Sequence, residues 1–190
     1  MTHRRLSEAI AEGDGISLLV EVRDADAASR AEESGAEGLV SRAGAAGLRP
    51  HTALPVLAYG PEPDAAAADA ADAVVLGADD EDVLSRNADR CRELGLEIVV
   101  RVSDDDELER VLEHVDPEIL LLTAERAEDE QEPLDRVLEL LQDVPAGKLA
   151  IGELADASRA DVEELERAGV DAVLVTGDVR ALVGDAVPDV

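Results

Sequence analysis

Leu94-Gly95-Leu96-Glu97-Ile98-Val99-Val100-Arg101-Val102-Ser103-Asp104-Asp105-Asp106-Glu107-Leu108 carries the pattern that decides the fold. A glycine closes one amphipathic stretch, an apolar run follows, and an acidic cluster opens the next stretch. Glycine tolerates the left-handed conformation that ends a helix. A continuously apolar run is the signature of a parallel strand buried on both faces. Aspartates at a helix start cap free amides and complement the helix dipole. The cadence recurs eight times, with apolar runs beginning near Ile16, Glu37, Leu54, Ala73, Leu96, Glu118, Lys148 and Asp171. Eight strand–helix units are what closes a (β/α)8 barrel, the TIM barrel, and this architecture usually takes about 250 residues. At 190 residues the chain is predicted to be α/β, a compact barrel with short βα loops.

The pattern predicts one domain over residues 1–190. Met1–Gly15 forms an N-terminal helix placed to cap the barrel floor, and Asp178–Val190 a degraded last helix. The first strand is read as Ile16–Arg23 and the seventh as Leu149–Ile151. The segment after the second strand, Ala43-Gly44-Ala45-Ala46-Gly47, is barely a helix.

Charge narrows the partners. With 46 acids against 17 bases, the net charge is −29, and Lys148 is the sole lysine. Such a surface repels nucleic acid and anionic membranes. It also strains the fold by self-repulsion unless salt screens it, which suggests the cytoplasm of a halophilic organism. Cys91 is alone, so no disulfide framework is expected. No signal peptide or long apolar run is legible. The histidines fall in the tail, a loop and an outer helix, so no metal site is expected, and no cofactor motif occurs.

In a barrel of this kind the chemistry sits at the carboxyl ends of the strands. Those ends present Glu21, Arg23, Ser41, Arg42, Tyr59, Gly77, Arg101, Ser103, Thr123, Glu153 and Thr176. Interior charges must be paired. One arrangement is a plug of Glu21–Arg101 and Glu153–Arg23 salt bridges. The other is an anion site with arginines as phosphate forks. Tyr59, the only aromatic residue in the chain, either fills the top of the core or stacks on a ligand.

From about Leu6 to Arg180 the chain resembles indole-3-glycerol-phosphate synthase. The resemblance rests on Ala71–Leu76, on Glu93–Val100 with Asp105–Glu109, and on Ala168–Val175. It implies a phosphate-binding barrel and a carbon–carbon lyase of tryptophan biosynthesis. Glu21 matches a family active-site acid, and Arg23 keeps the charge of a phosphate-holding lysine. Other positions depart. Tyr59 stands where the family has its general-acid lysine, Arg101 where it has an acid, and Thr123 where it has asparagine. Glu153-Leu154-Ala155 replaces Glu-Ser-Gly, and Thr176-Gly177-Asp178 replaces the strand-8 phosphate loop.

The expected function is therefore a catalytically degenerate relative with a binding, regulatory or structural role, holding a small phosphorylated or carboxylated anion. Arg23, Tyr59, Arg101, Thr123, Thr176 and Gly177 would be its ligand residues. The alternative is an active lyase or isomerase on a sugar-phosphate-like substrate, with Glu21 and Glu153 as acid and base. A third reading is a homodimer or a protein partner docked at the thin second or the weak last helix.

Overall fold

The computed structural model describes residues 5–13, 15–60, 62–124, 132–176 and 182. Eight parallel strands close in sequence order: β1 (Ser17–Glu21), β2 (Gly38–Ser41), β3 (Val56–Tyr59), β4 (Ala73–Gly77), β5 (Glu97–Val102), β6 (Ile119–Thr123), β7 (Leu149–Glu153) and β8 (Ala172–Val175). The molecule is a (β/α)8 barrel. Its helices are α1 (Leu6–Ala11), α2 (Ala25–Glu33), α3 (Pro63–Ala68), α4 (Glu81–Leu94), α5 (Asp105–His114), α6 (Pro133–Leu141) and α7 (Arg159–Ala168). None among the described residues is long and apolar enough to cross a membrane. The 178–190 segment lies outside the described residues apart from Leu182.

Local chemistry sets the element ends. Asp24, Asp80 and Asp104 each accept a backbone N–H of the first turn at 2.8–2.9 Å, so the acidic clusters cap helices. Gly95 and Gly169 end α4 and α7 with φ of +74° and +95°, where a side chain would be strained. After β2 no α-helix forms. The chain makes a turn and a single 3-10 segment, Arg49–His51.

Alternation along each strand sorts the core into two parts. Outward residues such as Leu18, Val20, Val100 and Val173 pack beneath the helices. Inward residues fill the barrel. The register brings inward residues of alternate strands to common levels. Leu19, Leu57, Val99 and Ile151 form one aliphatic level, all fully buried. Val40, Val75, Leu121 and Leu174 lie above it. The next level up is Glu21, Tyr59, Arg101 and Glu153, so the switch from oil to charge falls between two adjacent levels.

The floor is closed by α1. Leu6 and Ile10 enter the barrel core from below. Glu97, at the amino end of β5 and 9% exposed, turns inward to meet that helix. Its carboxylate accepts from the Leu6 and Ser7 amides and from the Ser7 hydroxyl. Arg5 pairs with it at 3.2 Å. Within the helix Glu8 accepts only from the Arg5 amide, so Glu97 supplies the acceptor for the next two amides, Leu6 and Ser7.

Strand ends shift by one or two residues from the sequence reading, and two of these shifts bear on the mouth. β1 stops at Glu21 rather than Arg23, because Asp24 must leave the sheet to cap α2. β7 runs on to Glu153, which pairs in register with Thr123 and Leu174.

Candidate functional site

The mouth is organised by Arg42, just past the end of β2. The Ser41 hydroxyl donates to the Gly44 carbonyl at 2.7 Å and closes a tight turn. Gly44 sits at φ +99°, which only glycine adopts cheaply. From this turn Arg42 reaches over the barrel. Its Nε donates to Glu21 Oε2 and its Nη2 to Glu153 Oε1, both at 3.0 Å. Its guanidinium lies 3.6 Å from the centre of the Tyr59 ring, a cation–π contact. The Tyr59 hydroxyl donates to Glu153 Oε2 at 3.3 Å, spanning the barrel from β3 to β7.

This network corrects the expected pairing. Both acids meet Arg42, a residue the expected plug did not include. Arg23 is exposed and does not line the cavity described below, since its strand has already ended. Alternation from Val40 makes Arg42 inward-facing, and that signal was available in the sequence. What the sequence withheld was that the Ser41–Gly44 turn would hold it across two acids.

The network occupies the β1–β3 side of the mouth. Beside it, on the β4–β7 side, an open cavity of about 760 Å³ remains. Tyr59, Arg42 and Glu153 form its near wall. Val75, Gly77 and Arg101 form the β4–β5 wall, and Thr123, Ala124 and the start of α6 form the β6 wall. The β7–α7 loop, with Asp156 and Asp161, closes the rest. Plug and pocket therefore coexist, side by side. Thr176 is exposed, donates to the Ala155 carbonyl and does not line this cavity. Gly177 lies outside the described residues. Ser103 turns away to Glu107, which accepts from its amide and hydroxyl at 2.9 and 2.8 Å.

Burial holds the Tyr59 phenol above its ordinary range, and the charge of Glu153 adds to the rise. The cations Arg101 and Arg42 pull the other way without cancelling it. Because Tyr59 is the only tyrosine and the chain has no tryptophan, its ionisation can be read directly by absorbance. The midpoint is expected above the usual value of about 10 in the folded protein and at that value in denaturant. Glu153→Gln should lower the folded midpoint while leaving the denatured one in place. A raised folded pKa means the stabilisation is complete below pH 10 and is lost as pH climbs through the folded midpoint. A midpoint at or below the ordinary value would contradict the buried, Glu153-facing placement.

No protein-family model matches the chain. Among solved structures it is similar to the N-acetylmannosamine-6-phosphate 2-epimerase from Clostridium perfringens, with a TM-score of 0.74 and 13% identity over 95% of this chain and 93% of that one. It is also similar to a protein from Burkholderia cenocepacia designated a phosphonomutase, with a TM-score of 0.63 and 16% identity over 85% and 87% of the two chains. At such identities the likeness establishes the shared barrel.

Proposed function

We propose that this chain is a ligand-binding barrel related to indole-3-glycerol-phosphate synthase, in which the synthase chemistry has been lost and the mouth retains a small phosphorylated or carboxylated molecule. The observation that carries this reading is the open cavity beside acids already committed to Arg42. Ring closure needs a proton donor and an opposing base. Tyr59 is a poor donor when its proton is held by burial and already engaged by Glu153, and a positive Arg101 stands in place of the acid. Glu21 and Glu153, the acid–base pair an active enzyme would use, share one guanidinium. A docking role has less support: Val83, 41% exposed, is the large hydrophobic side chain that stands out on the described surface.

The test combines binding and turnover. Sugar phosphates, sugar acids and the synthase substrate are titrated by calorimetry, with Tyr59 fluorescence as a second readout inside the cavity. Saturable binding without product supports the proposal. Turnover, or solvent deuterium exchange into a bound sugar phosphate that disappears in Glu153→Gln, would favour the lyase or isomerase reading. No binding by any of these compounds overturns the ligand site.

A further inference from the structure

Resting on that binding reading, we infer that the anionic group of the ligand sits against the β5–β6 wall and the start of α6, not in the loops after β7 and β8. Three features meet in the one cavity. The first is Thr123, 5% exposed, whose hydroxyl has no hydrogen-bond partner among the described residues although its side chain lines the cavity. Facing the cavity, that hydroxyl can donate to a ligand oxygen.

The second is the amino end of α6. Pro133 occupies the first turn, so the exposed donors there are the amides of Leu134 and Asp135. Glu132, the N-cap residue, makes no side-chain bond to them, and the acid of the first turn, Asp135, does not form a capping box. Helix starts of this kind favour anions through both their amides and their dipole. In α7, by contrast, Ser158 and Asp161 form a closed capping box. The Asp161 carboxylate accepts from the Ser158 amide at 2.7 Å, so that helix start has its own internal anion.

The third is Arg101, half-buried on the β5 wall. It has interactions of its own within the protein, and its fixed positive charge faces the cavity all the same. The opposite wall is acidic: Glu153, Asp156 and Asp161 lie there. An oxyanion placed at that wall would be repelled, whereas ligand hydroxyls would find acceptors. The cavity is therefore unevenly charged. The β5–β6–α6 side carries Arg101, the Thr123 hydroxyl and the α6 amides against one carboxylate, Glu132. The β7–α7 side carries three carboxylates, and its neighbouring cation, Arg42, is already shared by Glu21 and Glu153. The chemical class that fits is a polyhydroxylated molecule with one terminal phosphate or carboxylate.

Inorganic phosphate is the probe for the anion end, titrated at constant ionic strength with calorimetry and Tyr59 fluorescence as readouts; acetate distinguishes carboxylate from phosphate preference. Thr123→Val preserves shape and should weaken phosphate binding about tenfold. Arg101→Gln should weaken it more. Thr176→Val, at the end of β8, should leave it unchanged, and circular dichroism checks that each variant is folded. Phosphate binding that Thr176→Val weakens and Thr123→Val does not would overturn the placement. Absence of phosphate and acetate binding overturns it as well. In that case a neutral polyol that still perturbs Tyr59 would leave the binding reading standing, and silence from every compound would remove both.

Discussion

Replacing Glu97 with alanine should release the barrel floor and lower the melting temperature by about 10 °C. The magnitude follows from the loss of one nearly buried carboxylate that serves three donors of α1 and a cation. Hydrogen bonds to a charged group contribute roughly 1.5–3 kcal/mol each when broken singly, and removing a buried partner costs about 3–5 kcal/mol in all. For a domain of this size each kcal/mol corresponds to roughly 2–4 °C. Two controls separate the causes. Arg5→Ala should cost at most about 1 kcal/mol, since exposed ion pairs are weak and Arg5 is 58% exposed. Leu6→Ala, removing a fully buried side chain from the barrel core, should cost about 2–5 kcal/mol through the cavity it leaves. Thermal melts of the three variants decide the matter. A Glu97→Ala melt within 2 °C or so of wild type would show that α1 is held by its apolar contacts alone.

The second large effect is salt. Seventeen bases cannot neutralise 46 acids, and a charge of −29 is left over at pH 7. Described surface pairs such as Arg92–Asp89 and Arg159–Glu163 are exposed. Each is worth about 0–1 kcal/mol and is weakened by salt. Repulsion among the surplus acids acts in the opposite direction and involves many more charges. Screening lengths fall from about 10 Å at 0.1 M to about 3 Å at 1 M, so repulsion should win. The melting temperature is expected to rise by about 10 °C or more between 0.1 M and 2 M potassium chloride. A sucrose solution matched for osmotic strength should give a much smaller shift. A flat or falling salt profile would show that the acids are spaced widely enough to be harmless, and would withdraw the reading of a chain suited to a salty cytoplasm.

How much of the molecule was legible can be judged from single residues. Gly95, the apolar run after it and Asp104 carry the signals of helix stop, strand and helix cap, and each has that role in the fold. These are local properties: a left-handed glycine, a buried strand and an Asx cap each need only a few neighbouring residues. Eight repetitions then leave closure as the way to bury every strand on both faces. The residues of the top level, Glu21, Tyr59, Arg101 and Glu153, were also reachable by alternation along their strands. Arg23 does not join that level, because alternation ends where Asp24 diverts the chain into α2.

Which charges would meet was beyond the sequence. Arg42 is 21 residues from Glu21 and 111 from Glu153, and only the closed barrel brings β1, β2 and β7 within one guanidinium's reach. The same holds for Glu97 and α1, about 90 residues apart. Periodicity along the chain determined that there is a barrel, what fills it and where its mouth lies. Tertiary structure alone decided that the mouth is half closed by ion pairs and half open, because ion pairing depends on distances across the barrel and on the aim of one turn, neither of which has a period to read.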